Sequence, residues 1–201
     1  MTRRQIVLLA AVFLVLSCGA KTETREELSE DGKTKVRWEE KQSRFGDWVR
    51  HGKYAEWDTN GTKRVEGRYA DGQPHGRWIR YSPSGSREEE TRYERGVFQG
   101  EYVQWFADTG VMKRRVRFLD GRMHGRYEER HPNGETAQYG EFVEGRPAGP
   151  FTQYYPTGEK RRRGEYGEPF KEEGEWVTWN MDGSESDRWL WKSGRPVTRL
   201  R

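Results

Sequence analysis

Histidine is the side chain in this sequence best suited to metal binding, and three of the four histidines occupy related positions. His51, His75 and His124 each stand directly before a glycine, and the first two are 24 residues apart. If that interval holds two neighbouring β-strands, equivalent residues lie about 9.6 Å apart. Imidazoles that share an ion need nitrogens at about 2.1 Å from it. We therefore expect loop residues rather than a metal site, and a turn residue at His131.

The sequence contains no pattern typical of a catalytic site. Its one cysteine is Cys18, and it holds no Cys–His pair, no Gly-x-Ser-x-Gly segment and no metal-ligand spacing. Nucleophilic and acid–base catalysis need paired groups held in a pocket, whereas the acidic residues here are scattered along the chain. We expect a protein that is not an enzyme and that uses no cofactor, metal or small-molecule substrate.

Two basic runs are candidates for binding the phosphates of nucleic acid or of lipid head groups. They are Lys-Arg-Arg at 113–115 and Lys-Arg-Arg-Arg at 160–163. The corresponding stretch of another repeat is Glu-Glu-Glu at 88–90, and the formal net charge is only +4. This mixture favours solvent-exposed strands that carry both positive and negative side chains. We expect no nucleic-acid partner and keep phospholipid head groups as an alternative ligand.

Large aromatic rings recur among the charged residues, and we call this set the aromatic stripe. The stripe comprises Trp57, Tyr81, Trp105, Tyr154 and Trp179, with Arg130 at the position of the missing ring. Rings on a charged face can anchor a protein partner or stack on sugars. They can equally steady the sheet beneath long Lys and Arg side chains. These five are the candidate partner-binding residues.

The elements that would position these residues form a repeat of 24 or 25 residues. Its columns of glycine and aromatic residues stay in step along the chain. The opening glycines are Gly52, Gly76, Gly100, Gly125, Gly149 and Gly174. The aromatics two positions later are Tyr54, Trp78, Tyr102, Tyr127, Phe151 and Trp176. Such self-similarity is typical of a repeat array.

Each repeat predicts one β-hairpin. A second glycine follows a turn-favouring residue, as in Asn60-Gly61, which suits a two-residue type I′ loop with positive φ. The predicted cross-strand pairs are Thr59 with Thr62, Tyr54 with Gly67, Gly52 with Tyr69, Tyr127 with Gly140 and Phe151 with Gly164. Each ring would then cover the bare backbone of the glycine opposite it.

The third repeat is one residue longer than the others between Gly100 and Gly110. A slip of one residue would turn every later side chain to the wrong face of the sheet. We therefore expect a β-bulge near residues 105–108 that absorbs the extra residue.

The composition favours a thin sheet. The chain is 35% charged and 31% hydrophobic, which leaves few aliphatic side chains for the core of a two-sheet sandwich. Its 13% aromatic content argues against disorder. The expected fold class is all-β, an elongated single-layer antiparallel sheet of six to seven serial β-hairpins. Six repeats would span residues 51–197, after a degenerate leading repeat at 31–50.

This pattern resembles the variant form of the MORN repeat and is most similar to the bacterial YwqK-type antitoxins. The segments Tyr-Ala-Asp-Gly-Gln-Pro-His-Gly-Arg-Trp at 69–78 and Phe-Leu-Asp-Gly-Arg-Met-His-Gly-Arg-Tyr at 118–127 carry the resemblance. It covers residues 52–197. The resemblance implies serial β-hairpins that serve as an interaction scaffold, with lipid binding and an antitoxin or immunity role as more specific functions.

The N-terminus resembles a bacterial lipoprotein signal peptide. Arg3 and Arg4 precede an apolar run at 6–16, which is too short to span a bilayer. Val-Leu-Ser-Cys-Gly at 15–19 resembles a lipobox, in which Cys18 would become the lipidated first residue of the mature protein. Residues 1–17 would be a signal helix and 18–30 a flexible tether. An ordinary signal peptide or an uncleaved helix is the alternative.

Together these features predict a non-enzymatic protein held by lipid in the bacterial envelope, in the outer membrane where the cell has one. Its repeat sheet would bind a protein partner, with an immunity role as one form of that function. The alternatives are a glycan- or peptidoglycan-binding module that uses the aromatic stripe, and a phospholipid head-group binder that uses the basic runs.

Overall fold

A computed structural model of the protein describes residues 21–28, 34–168 and 170–200. The predicted signal helix and Cys18 lie outside the described residues. The chain divides into two compact units, Met1–Val97 and Phe98–Arg201, which we call unit 1 and unit 2. Within each unit the strands pair antiparallel with their neighbours along the chain. The predicted all-β class, an open antiparallel sheet of serial hairpins, is therefore confirmed in both units.

Unit 1 contains seven complete strands in the part that the structure describes. They are β1 Thr22–Leu28, β2 Thr34–Gln42, β3 Trp48–Asp58, β4 Lys63–Ala70, β5 Gln73–Pro74, β6 Gly76–Tyr81 and β7 Arg87–Glu94. Strands β1 to β4 pair in order, and β4 then pairs with both β5 and β6. Strand β6 pairs with β7.

Unit 2 continues the same pattern after β8, Val97–Phe98, at the boundary. Its strands are β9 Gly100–Trp105, β10 Met112–Leu119, β11 Arg122–Arg130, β12 Thr136–Val143, β13 Arg146–Tyr154, β14 Lys160–Gly167, β15 Lys171–Trp179, β16 Glu185–Lys192 and β17 Arg195–Arg199. Each pairs with the next. Strand β17 is exposed and contains Pro196, which has no N–H to donate and therefore suits a sheet edge.

The leading hairpin begins earlier in the chain than predicted. Residues Thr22–Leu28 form β1 and pair with β2 along their whole length, so the flexible tether predicted at 18–30 is wrong for this stretch. An ion pair between Arg25 and Glu40, with Nε and Oε1 2.5 Å apart, supports the pairing. The composition of β1 hides its strand character, because its residues before Leu28 are threonine, glutamate and arginine and form no apolar face.

The loop inside each hairpin also differs from the prediction. In the first, Asp58 N–H donates to the Thr62 carbonyl and Gly61 N–H donates to the Asp58 carbonyl, both at 3.0 Å. Gly61 has a φ of +79°, whereas Asn60 has no positive φ. This is a three-residue loop, a type I turn followed by a left-handed glycine, so the predicted type I′ loop and the Thr59–Thr62 pair are wrong.

A bulge restores the predicted pairing further along the strands. Trp57 pairs with Lys63 and Glu56 with Val65, which leaves Arg64 unpaired on β4. The loop has one residue more than predicted, and the unpaired Arg64 removes one residue from the strand pairing, so the register beyond the bulge is as predicted. The remaining predicted pairs are confirmed: Gly52–Tyr69, Tyr54–Gly67, Tyr127–Gly140 and Phe151–Gly164.

Type I′ loops do occur, but between repeats. Asp71 and Gly72 have φ values of +50° and +81°, and the flanking residues Ala70 and Gln73 pair directly. Positive φ at both loop residues defines this turn, and its twist matches that of the strands. Later loops of the same kind lie at Asp120-Gly121, Glu144-Gly145 and Ser193-Gly194.

The extra residue of the third repeat lies in its loop. Phe106 N–H donates to the Val111 carbonyl at 2.9 Å and Gly110 N–H to the Phe106 carbonyl at 2.8 Å, which encloses four loop residues instead of three. The β-bulge predicted near residues 105–108 is therefore wrong. The pairing of Tyr102 with Val116 shows that the aromatic column keeps its face. The longer loop absorbs the residue, and the register shift at Lys113, opposite Trp105, is the same bulge that the hairpins with three-residue loops carry at Arg64 and Arg161.

The aromatic columns form the core of one face, which we call the spine face. In unit 1, Tyr69 packs edge-on against Tyr54 and Trp78, with ring centres 5.3 and 5.2 Å apart. In unit 2, Tyr166 packs in the same way between Phe151 and Trp176, at 5.4 and 5.1 Å. Each such pair contributes about 0.5–1.5 kcal/mol beyond the burial of its area.

Three rings of the spine, Trp78, Phe151 and Trp176, each cover the strand glycine of the preceding repeat and not a glycine of their own hairpin. A Cβ on Gly67 would overlap the Trp78 ring, one on Gly140 would overlap Phe151, and one on Gly164 would overlap Trp176. The prediction that Tyr54, Tyr127 and Phe151 cover their own partner glycines is therefore wrong. The rings consequently join successive hairpins, and the strand glycines exist to admit them.

Candidate functional site

In each unit the residues of the aromatic stripe lie on the face opposite the spine, which we call the stripe face of that unit. Trp57 pairs with Lys35 on one side and Lys63 on the other, whereas Tyr54, three residues earlier, pairs with Trp38 and Gly67 on the spine face. All five stripe residues are half-buried. Trp57 and Tyr81 belong to unit 1, and Trp105, Tyr154 and Trp179 to unit 2.

Trp57 lines an open depression of about 520 Å³ in unit 1. The Arg37 guanidinium carbon lies 5.6 Å from the centre of the Trp57 ring, and Leu28, also in the lining, is 68% exposed. Glu26 forms ion pairs of 2.6 Å with both Lys35 and Arg37. Hydrogen bonds from Lys35 and Arg37 lower the pKa of Glu26, so one carboxylate is shared between two cations and the group keeps a net positive charge.

Tyr81 is held by a carboxylate. Its hydroxyl donates to Glu66 at 2.6 Å, and Lys63 donates to the same carboxylate at 2.8 Å. Burial opposes the ionisation of Glu66, but the hydrogen bonds from Lys63 and Tyr81 outweigh it and lower its pKa. Burial and the Glu66 hydrogen bond raise the pKa of Tyr81. The phenol is therefore fixed in orientation, with one edge towards solvent.

In unit 2, Trp179 lies between two shallow depressions. One, of about 330 Å³, is also lined by Tyr154, Glu159 and Lys160. The other, of about 470 Å³, is lined by Arg163, Glu165, Glu173, Glu175, Val177 and Arg188. Lys160 pairs with Tyr154 across the strands, and its Nζ lies 5.9 Å from the centre of the Trp179 ring.

Sequence reasoning missed one ring of the stripe face. Tyr139 pairs with Glu128 and Thr152 and alternates with Gly140 of the spine face, so it lies on the stripe face and is 43% exposed. It belongs to the repeat in which Arg130 replaces the stripe aromatic. Arg130 itself donates to Glu128 at 2.7 Å. Side chains alternate between the two faces along a strand, so the position of Tyr139 next to Gly140 in the sequence could have predicted that it lies on the stripe face.

The basic runs divide between the two faces and are partly neutralised. Arg114 forms an ion pair with Glu129 at 3.2 Å on the spine face, and Arg115 forms one with Glu101 at 3.3 Å on the stripe face. Arg162 forms an ion pair with Glu172 at 2.7 Å, and its guanidinium carbon lies 4.2 Å from the centre of the Trp176 ring. Neither run presents all its cations to one side.

The residue before each opening glycine has a structural role where its contacts are seen. Asp71 N–H donates to His51 Nδ1 at 3.4 Å. At equivalent positions, Asp120 N–H donates to Gln99 at 2.9 Å and Ser193 N–H to Glu173 at 2.8 Å. In each case the acceptor holds the first residue of a type I′ loop.

His131 contacts the Tyr154 carbonyl through Nε2 at 3.0 Å. Across residues 21–28, 34–168 and 170–200, no group of three or more His, Cys, Asp or Glu side chains is arranged to hold a metal ion. In the same ranges no helix has the length and hydropathy needed to cross a membrane.

Comparison with known proteins adds no relative. No protein-family model matches the sequence, and no curated protein matches it. The resemblance to the MORN variant and to YwqK-type antitoxins therefore stays a prediction, and the function has to be argued from the site.

Proposed function

We propose that the protein is a non-enzymatic binding module of the bacterial envelope, anchored by lipid at Cys18, whose stripe face binds a protein partner. The observation that supports this best is the arrangement around Trp57. A half-buried ring lies against the Arg37 guanidinium and beside the exposed Leu28 in an open depression. Tryptophan, tyrosine and arginine are the residues that contribute most at the centres of protein interfaces.

The shape of the stripe face supports binding to a surface over catalysis. Its depressions are shallow and open, and the carboxylates beside Trp57 and Tyr81 are already bound to cations. A general acid or base needs a free group within reach of a buried substrate. Immunity against a toxin that enters the envelope is one form that such binding would take.

The proposal is tested by capture from an envelope extract. Wild-type full-length protein with a C-terminal tag is compared with the triple variant Trp57→Ala/Tyr81→Ala/Trp105→Ala. The matched control is Phe45→Ala, which removes a ring that is 78% exposed and outside the stripe. We expect one protein to be retained by wild type and by the control, and to be lost by the triple variant. Equal retention by all three would assign the stripe a structural role.

Membrane anchoring is tested separately through Cys18. We expect wild type to incorporate radiolabelled palmitate and to sediment with membranes. Cys18→Ser should do neither, because it removes the acceptor thiol, and dual acylation is what anchors stably. Unchanged labelling of Cys18→Ser would overturn the anchor while leaving the binding proposal intact.

Phospholipid binding is the less favoured alternative. Arg114, Arg115 and Arg162 each form an ion pair within the protein, and the runs divide between opposite faces. A head-group surface would instead gather unpaired cations on one side. Glycan binding, the other alternative, is supported by the two depressions beside Trp179 in unit 2.

A further inference from the structure

The two depressions beside Trp179 combine an apolar floor with polar walls. Val177, only 8% exposed, forms part of the floor of the larger depression. Trp179 lines both depressions, and Tyr154 lines the smaller. Volumes of about 330 and 470 Å³ fall in the range of small-ligand subsites, although these are open to solvent. The site therefore suits a flat ligand that lies on the sheet.

The polar groups of this site carry both signs and several of them are free. In the part of the chain that the structure describes, Lys160 and Arg163 form no ion pair, and the carboxylates of Glu159 and Glu165 accept no hydrogen bond. The charges of these two cations and two anions sum to zero. A charged ligand would therefore meet a like charge, whereas an uncharged ligand would not.

The other charged residues of the site are already engaged. Arg188 forms ion pairs with Glu175 at 2.8 Å and Glu185 at 2.6 Å, and Glu173 accepts from Ser193 N–H at 2.8 Å. They define the wall of the larger depression without adding free charge. The free groups are thus two donors and two acceptors, placed around rings.

From these observations we infer that unit 2 holds a binding site for an uncharged, extended oligosaccharide, which lies across β13, β14 and β15 and stacks on Trp179 and Tyr154. Sugar hydroxyls both donate and accept hydrogen bonds, which matches Lys160 and Arg163 as donors and Glu159 and Glu165 as acceptors. The C–H face of a sugar ring is apolar and suits an aromatic face. Tyr154 and Trp179 are two strands apart, about 9.6 Å, so successive rings would contact different sugar units.

This site uses two rings of the stripe, Tyr154 and Trp179, that the capture experiment does not test. The capture experiment alters Trp57, Tyr81 and Trp105 and leaves Tyr154 and Trp179 unchanged. Failure of one proposal therefore leaves the other standing. If both hold, the protein links a protein partner to an envelope glycan.

The inference is tested by isothermal titration calorimetry of the full-length protein in mild detergent. The probes are two uncharged tetramers, of N-acetylglucosamine and of glucose (cellotetraose), together with cationic chitosan tetramer and anionic oligogalacturonate tetramer. We expect at least one uncharged tetramer to bind more tightly than either charged one. Its affinity should stay constant within about twofold when salt rises from about 0.05 to about 0.5 M, because no charge pair is formed.

Substitutions locate the site. Trp179→Ala should weaken binding about tenfold or more, whereas Trp179→Phe, which keeps a flat ring, should stay within about threefold of wild type. The matched control Trp57→Ala should leave affinity unchanged. Arg163→Ala and Glu165→Gln should each weaken it about threefold. These two alter exposed side chains, and they decide the matter if circular dichroism shows that Trp179→Ala does not fold.

Three outcomes would overturn the inference. The first is binding of neither uncharged tetramer. The second is tighter, salt-sensitive binding of a charged tetramer or of an acidic peptide. The third is an equal loss of affinity in Trp57→Ala and Trp179→Ala, which would show that the rings act without a local site.

Discussion

Strands β10 and β14 occupy equivalent positions in two repeats of unit 2, yet they are built differently on both faces. On the spine face, β10 places Val116 against Tyr127, whereas β14 places Gly164 beneath Trp176. On the stripe face, Arg115 of β10 forms an ion pair with Glu101. The equivalent Arg163 of β14 has Pro150 at the position of that glutamate.

The comparison separates what the repeat must conserve from what it can change. Between these two strands, the larger residue Val116 meets the smaller ring of Tyr127 and Gly164 meets the larger ring of Trp176, so the two changes in volume partly compensate. On the stripe face no such compensation occurs. Replacing Glu101 by Pro150 leaves a cation free beside Trp179. The spine face is therefore under a packing constraint, and the stripe face is where repeats diverge for binding.

The largest expected effect comes from placing valine, the residue at position 116 of β10, at the equivalent position 164 of β14. Gly164→Val should cost about 3 kcal/mol or more in the free energy of unfolding, because its side chain would overlap the Trp176 ring. The double variant Gly164→Val/Trp176→Tyr recreates the β10 combination and should recover most of that loss. Urea unfolding followed by circular dichroism measures both.

Gly167→Ala is the matched control on the same strand. An added Cβ there meets the Cβ and Cγ of Glu173 at 3.0 and 3.3 Å, a tight contact but no overlap with a ring, so the cost should be about 1 kcal/mol, well below that of Gly164→Val. A Gly164→Val variant as stable as this control would show that the ring does not need the glycine.

The next effect concerns the arginines that lie over the rings. Arg162→Ala should lose about 2 kcal/mol and Arg114→Ala about 1 kcal/mol in the free energy of unfolding. The reason is proximity, since Arg162 lies 4.2 Å from the Trp176 ring centre and Arg114 lies 5.8 Å from that of Tyr127. Both also lose a carboxylate partner. Arg162→Lys and Arg114→Lys test the planar stacking, because lysine keeps the positive charge but has no planar guanidinium group. A larger loss at Arg114 would contradict the ranking.

Much of the fold could be read from the sequence, because glycine and aromatic columns in step specify strand, turn and face together. The long-range pairs Tyr54–Gly67 and Phe151–Gly164 were predictable for that reason. The loop type was not, because a three-residue loop with a bulge gives the same distant pairing as a two-residue loop without one. The φ values at Asn60 and Gly61, and the pairing of Trp57 with Lys63 next to the loop, distinguish them.

The site was predictable in its rings but not in its environment. Strand parity places Trp179 on the stripe face. The same alternation, counted from Gly140, places Tyr139 there too. The depressions and the charged residues around Trp179 depend instead on which neighbours face each other across repeats. Strand β1 was missed because Leu28 is its one apolar residue, so the sequence shows no hydrophobic period there.

Alkaline pH should affect the β10 side through Tyr127. Its hydroxyl donates to Glu129 at 2.7 Å, and burial together with this hydrogen bond raises the pKa of Tyr127. The folded state therefore binds the phenolic proton more tightly than the unfolded state. That stability is fully present below about pH 10, the usual pKa of tyrosine, and is lost as pH rises above it.

Tyr127→Phe tests this contribution. It should lower stability at neutral pH by about 1 kcal/mol through the lost hydrogen bond, and it should make the decline above about pH 10 less steep by up to about 1.4 kcal/mol per pH unit. Urea unfolding at a series of pH values measures it. An alkaline decline identical to that of wild type would assign the loss to the other buried tyrosines, such as Tyr54 and Tyr166.

The smallest effect on stability is expected on the stripe face. Arg115→Ala should cost less than about 0.5 kcal/mol, and this cost should vanish at high salt, because its ion pair with Glu101 is exposed. Arg163→Ala should change the free energy of unfolding by even less, at any salt concentration, because Arg163 forms no ion pair with the residues that the structure describes. Chemical denaturation at low and high salt compares the two. A clear loss of stability in Arg163→Ala would show that its guanidinium supports the fold, and would remove it from the sugar site.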